Sequence, residues 1–237
     1  MHMGYLLGLL WIAFIAYAMF MAPGQSPGSD PVFKELLTLR SDEPWLLTVF
    51  SWLGIFPAVY ACLLLRKSVK ARENERTPAW PFVLFSFGLG AFALLPYYAW
   101  NSNLPKRHTY NDVPSAKQQS KQRISRVAGH KLTHSVLLVL TLGAAYYAIT
   151  KGNIERFVEA FNQSSFVHIM TIDFVVLTFL STLAIFRDTR LTGRTAYWTW
   201  VGLVPLVGPI IYLLTERRES GDDMDERTVS SLRDSQR

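Results

Sequence analysis

Cysteine is nearly absent. Cys62 is the only one and it lies inside an apolar stretch, which excludes an internal disulfide and a thiolate metal cluster. Charge is scarce as well, at 18% of 237 residues against roughly 25% in an ordinary soluble domain. There is no Walker loop, no nucleophile elbow with triad partners, no H-E-x-x-H motif and no dinucleotide fingerprint. Strand-like alternation of any length is missing too. The scarcity of cysteine excludes a disulfide-rich secreted domain, and the segregation of the few charges from long apolar blocks excludes a soluble globular enzyme and a disordered tail protein. No enzymatic activity, catalytic residue, cofactor or resident metal is expected.

What is present is a set of six apolar blocks: Gly4 to Ala22, Trp45 to Leu65, Ala79 to Trp100, Leu132 to Ile149, Phe166 to Phe186 and Ala196 to Leu214. Together they hold about half the chain, and each is close to the roughly 20 residues that cross a hydrocarbon core. Of the 24 basic and 18 acidic side chains, only Asp173 falls inside a block. The expected fold is therefore all-α, a polytopic transmembrane helical bundle of about six spans. Trp45, Trp80, Trp100, Tyr197, Trp198 and Trp200 stand at block ends, where amphipathic rings prefer the headgroup level.

The organisation divides into an N-terminal membrane half over 1–105, a basic polar linker over 106–131, a C-terminal membrane half over 132–215 and a charged, disordered tail over 216–237. Block one has only His2 before it and reads as an uncleaved span rather than a signal peptide. It stops in the Pro- and Gly-rich stretch beginning at Pro23. Val32 to Arg40 can make one or two amphipathic turns, and Ser41, Asp42 and Pro44 open block two in the manner of an N-cap. Block four is the weakest span, because Thr133, His134 and Ser135 shorten its apolar run. Ile154 to Phe161 puts Ile154, Phe157, Val158 and Phe161 on one face, as an interfacial helix does.

The net charge of +6 is carried beside the blocks: +3 over Arg66 to Arg76, +6 over Lys106 to Lys131 and +2 over Arg187 to Arg194. Such clusters suit anionic headgroups rather than nucleic acid. With six spans, however, lysines and arginines divide 12 to 12 between the two faces, and orientation is undetermined. Each half taken alone wants its own basic loop inside. An inverted repeat of three plus three helices accounts for that conflict, as does a block that fails to span.

Asp173 is the residue most open to function: at bilayer depth a charge costs at least ~2.5 kcal/mol and needs a partner. It can bind a cation or proton, or it can tie spans together. His168 lies five residues earlier, some 140° around the helix by the ~100° step per residue. It shares a face with Thr171, Thr178 and Thr182, a stripe suited to packing on a neighbouring helix or to a ligand. His130 and His134 have the i,i+4 spacing of a metal pair, but two ligands are an incomplete site and the default is a solvated interfacial pair. Pro57, Pro96, Pro205 and Pro209, with Gly88, Gly90, Gly202 and Gly208, can kink helices or serve close packing, and 204–209 is the best candidate for a broken helix.

Residues 166–219 run from Phe166 through Asp173 and Ile185-Phe186-Arg187-Asp188 to Trp198-x-Trp200 and Leu203-Val204-Pro205-Leu206-Val207-Gly208-Pro209-Ile210-Ile211-Tyr212. This resembles a family of small, uncharacterised three-helix membrane proteins of cyanobacteria and other bacteria with plastid relatives. Pro78 to Tyr97 is similar to longer members with an added N-terminal half. The resemblance implies a plasma or thylakoid membrane location and no transferable active site. The expected role is a structural or assembly partner of a larger membrane complex; the alternative is a small solute or ion transporter using Asp173 and a kinked sixth span.

Overall fold

A chain in hydrocarbon must satisfy its backbone N–H and C=O groups from within, so apolar sequence there becomes helix. The computed structural model describes residues 2–23, 30–65, 77–102 and 130–215, and their regular structure is helical. Four helices are long and apolar enough to cross a membrane, which makes this a membrane protein by length and composition. They are α1 (His2–Phe20), α3 (Pro44–Leu65), α6 (Lys131–Lys151) and α8 (Ser165–Thr192). Two short helices, α2 (Pro31–Leu37) and α7 (Ile154–Gln163), precede α3 and α8.

Blocks three and six are not single helices. Block three divides at Gly90 into α4 (Ala79–Leu89) and α5 (Ala91–Trp100). Gly90 has φ 52° and ψ −126°, a combination that favours glycine, and the chain reverses there. Phe82 consequently meets Tyr97 and Trp100, with ring centroids 5.6 and 5.8 Å apart. In a straight helix residues 82 and 100 would stand about 27 Å apart at ~1.5 Å per residue. Asn101 closes the mouth by donating to the Thr77 hydroxyl at 2.8 Å.

Block six folds back in the same way, as α9 (Trp198–Val201) and α10 (Val207–Leu214). Trp198 and Tyr212 meet at 5.9 Å, and the Arg194 guanidinium lies over both rings. The tip contains a γ-turn: Val207 N–H donates to the Pro205 carbonyl, with Leu206 at φ 55° between them. The six continuous helices expected are thus four long helices and two hairpins, because the two third elements turn back at Gly90 and around Leu206. The candidate break at 204–209 is a real one. Block four is a continuous helix of 21 residues, its Thr141 and Thr150 hydroxyls returned to carbonyls one turn earlier.

Helices α3 and α8 pack on each other at the centre. Phe56, Tyr60, Leu94, Leu177, Ile185 and Ile210 fill the interior around them. Hairpin α4–α5 lies against α3 and α1 and reaches α8; hairpin α9–α10 lies against α8 and α6 and reaches α3. The start of α1 is at the mouth of the first hairpin, where Gly4 touches Ser102. The end of α8 reaches the same mouth, since Arg187 donates to the Tyr98 carbonyl. At the opposite end Asp30, the N-cap of α2, accepts from the Ser164 hydroxyl, and Glu43 accepts from the Asn153 N–H. Ser164 and Asn153 are themselves the N-caps of α8 and α7. Most of the polar linker and the whole tail lie outside the described residues.

The reversal at Gly90 gives a paired test. A Cβ at Gly90 would overlap the Asp173 carboxylate and force a positive φ on an L-residue, whereas one at Gly88 meets open space. Gly90→Ala should cost about 1–3 kcal/mol or more in detergent-solubilised thermal unfolding. Gly88→Ala should be neutral or stabilising by up to ~1 kcal/mol.

Candidate functional site

Helix α8 carries the groups that hold both hairpins. Residues 173, 177, 181 and 188 recur at three- or four-residue multiples and fall within about 80° of one another around the axis. Asp173 is 6% exposed and accepts from the Ala91 N–H at 2.7 Å. Ala91 is the first residue of α5, one of the positions whose N–H groups have no partner inside their own helix. The carboxylate thus supplies from α8 the cap that the sequence around Gly90 lacks. It also faces the positive end of the α5 dipole, worth about half an elementary charge.

One turn on, the Leu177 carbonyl accepts from the buried Tyr60 hydroxyl of α3 at 2.6 Å. One turn further, Ser181 donates to the Gly202 carbonyl at 2.8 Å. Gly202 lies against the backbone of Thr182, too close for any side chain. Near the end of α8, Asp188 accepts from the Tyr212 hydroxyl of α10 at 2.7 Å. Arg187 donates to the Tyr98 carbonyl of α5 and sits 4.9 Å from the Tyr98 ring. Adjacent residues of opposite charge therefore engage opposite hairpins.

The other expected residues are placed separately. His168 does not meet Asp173. Its Nδ1 donates to the Phe161 carbonyl at 3.0 Å, and Nε2 is hydrogen-bonded to the Tyr17 hydroxyl at 2.6 Å. Stacked on Phe161, the imidazole ties α1, α7 and α8 together. Thr171, Thr178 and Thr182 bond to carbonyls of their own helix, so the stripe reaches its neighbour through the close approach at Gly202 rather than through hydroxyls. His130 is exposed and caps α6 by accepting from the Leu132 N–H, while His134 is 2% exposed. The pair is not a solvated one, because a helical turn carries His134 into the bundle. Pro205 is in the γ-turn, and Pro209 stands in the first turn of α10, where its missing N–H breaks no bond.

Sequence reading missed Gly90 as a tip, Ser181 as a bridge and the Arg187-Asp188 pair as buried anchors. The signal was the spacing of Asp173, Ser181 and Asp188 along one face; charge scoring hid it by assigning Arg187 and Asp188 to a loop.

Comparisons with family models, with curated proteins and with solved structures yield no match.

Removing the acceptor at Asp173 while leaving Ala91 N–H buried should cost about 3 kcal/mol in Asp173→Ala. Asp173→Asn retains an acceptor oxygen and should lose less. A double-mutant cycle of Asp188→Ala with Tyr212→Phe should give a coupling energy of about 1–3 kcal/mol. Additive single effects in thermal unfolding would show that the Tyr212–Asp188 bond holds nothing.

Proposed function

We propose that the chain is a non-enzymatic multi-pass membrane protein that acts as a structural or assembly partner of a larger membrane complex. We read it as two copies of one unit in the same orientation: two spans, a short interfacial helix and a hairpin dipping in from one face. The first is α1, α2, α3 and α4–α5; the second is α6, α7, α8 and α9–α10. The matching neighbours of the two hairpins support this. A unit that crosses twice returns to its starting face, so two units share a direction, as two units of three spans do not.

The charge distribution supports the same topology. On the hairpin face the connecting segments carry five Lys and Arg over 66–76, seven over 106–131, three over 187–194 and five beyond 215. That is twenty of the 24; the other face has Lys34, Arg40, Lys151 and Arg156. The 12-to-12 tie disappears and the hairpin face is cytoplasmic by the positive-inside rule. The family resemblance of residues 166–219, with the plasma or thylakoid location it implies, is part of the same proposal.

One observation carries the partner reading: three buried polar side chains at this depth are hydrogen-bonded within the scaffold. Asp173 holds Ala91, Ser181 holds Gly202 and Tyr60 holds Leu177. Meanwhile α1 and α6 bury little of themselves within the chain, leaving Leu6, Leu9, Ile12, Val139 and Tyr146 facing outward. The second reading, a small solute or ion transporter, draws on a different feature. A broken helix whose N-terminus meets a buried carboxylate is a construction that transporter sites use.

Gentle detergent extraction should recover the protein in an assembly larger than itself; a solitary monomer under those conditions overturns the partner reading. Reconstituted Asp173→Asn should leave ion and proton flux unchanged, and its loss would favour the transporter. For the topology, Lys70→Cys and Lys121→Cys in a Cys62→Ser background should be labelled from the same side of the membrane. Labelling from opposite sides would mean that block three crosses.

A further inference from the structure

Asp173 has only half of a counter-charge. Its Oδ1 takes the Ala91 N–H, Oδ2 packs on Gly90, and among the described residues no Lys, Arg or His forms an ion pair with it. The N-terminal end of α5 offers about half a positive charge. A full negative charge at this depth is therefore under-compensated, and the smallest ligand that completes it is a proton.

We propose that hairpin α4–α5 is a proton-operated latch. The Asp173 carboxylate grips the N-terminus of α5, and uptake of one proton from water converts it to a neutral carboxylic acid and loosens the tip. Charge-assisted bonds are roughly twice as strong as neutral ones, and the attraction to the helix dipole vanishes with the charge. The rest of the tip is held by groups that this proton leaves unchanged: Trp11 donates to the Phe92 carbonyl at 2.9 Å, and Phe14 stacks on Phe92. The mouth stays closed through Thr77 and Asn101, so loosening is confined to the Gly90 end.

The titratable groups around the carboxylate come from four helices. Tyr60 of α3 donates to the Leu177 carbonyl, one turn along α8 from the carboxylate. Tyr98 of α5 has its ring 6.4 Å from that of Tyr60. Tyr17 of α1 and His168 of α8 are engaged with each other, nearer the opposite end. None of them is hydrogen-bonded to the carboxylate: Tyr60 is engaged with the Leu177 carbonyl and His168 with Phe161 and Tyr17. The inference rests on the anchoring bond and not on either functional reading, so it stands or falls separately from the co-purification test.

The tip can be watched through one buried position. Ser86 is 1% exposed and bonds only within its own helix, to the Val83 carbonyl, while Gly88 has open space around it. In a Cys62→Ser background, Ser86→Cys reports opening and Gly88→Cys serves as the exposed reference. Both are alkylated in vesicles by a membrane-permeant maleimide, with the same buffer on both sides.

The alkylation rate of the Ser86→Cys chain, divided by that of the Gly88→Cys chain, should rise roughly five-fold from alkaline to acidic buffer, a factor matching the loss of one charge–dipole contact. With Asp173→Asn added, the ratio should be high and independent of pH. A flat ratio in the chain that keeps Asp173 overturns the latch whether or not the Asn variant folds. An equal rise in the Asn variant assigns the response to another group and overturns it too. The infrared band of a protonated carboxyl must grow in the same acidic buffers, and a rising ratio without that band also overturns it.

Discussion

A helix broken within a buried apolar bundle leaves backbone groups without partners, and the bond from Ala91 to Asp173 is this protein's answer. Hairpin α4–α5 can enter the bundle because another helix supplies the cap for its second arm. Gly90 lets the chain reverse, and its missing Cβ leaves room for the carboxylate. The cost of burying Asp173 and the cost of the broken helix offset each other at one point. Each lowers the cost of the other.

The same logic extends along α8. Its middle holds α3 through the Leu177 carbonyl, its next turn holds the second hairpin through Ser181, and its end divides Arg187 and Asp188 between the two hairpins. A single helix with polar anchors on one face thereby organises five others. At the far end Asp30 with Ser164, and Glu43 with Asn153, join the cap of each short helix to the start of the other half's long helix. Polar contacts inside a membrane protein gain little from hydrophobic sorting, so directional bonds of this kind set which helices are neighbours.

The apolar blocks were legible because hydropathy records where water is excluded, and that holds for a span and a hairpin alike. For this reason block three looked like a crossing helix. Ala79 to Trp100 is long enough to span, and nothing in its composition says that Phe82 will face Trp100. The weakness of block four misled in the other direction, since Thr133, His134 and Ser135 lie within the continuous helix Lys131–Lys151 and the polar His134 is turned into the bundle. The short helix at 154–163 was readable from its one-sided apolar face.

Residue type and spacing alone indicated that the chain is helical, that it belongs in a membrane, that Asp173 needs a partner and that His168, about 140° around the same helix, is poorly placed to be it. These follow from transfer costs and helix geometry, which are local properties. Which partner Asp173 takes, and which way blocks three and six run, followed from the packed bundle. Gly90 and Asp173 are 83 positions apart in the chain, and the need of one for the other exists only when α5 and α8 lie side by side.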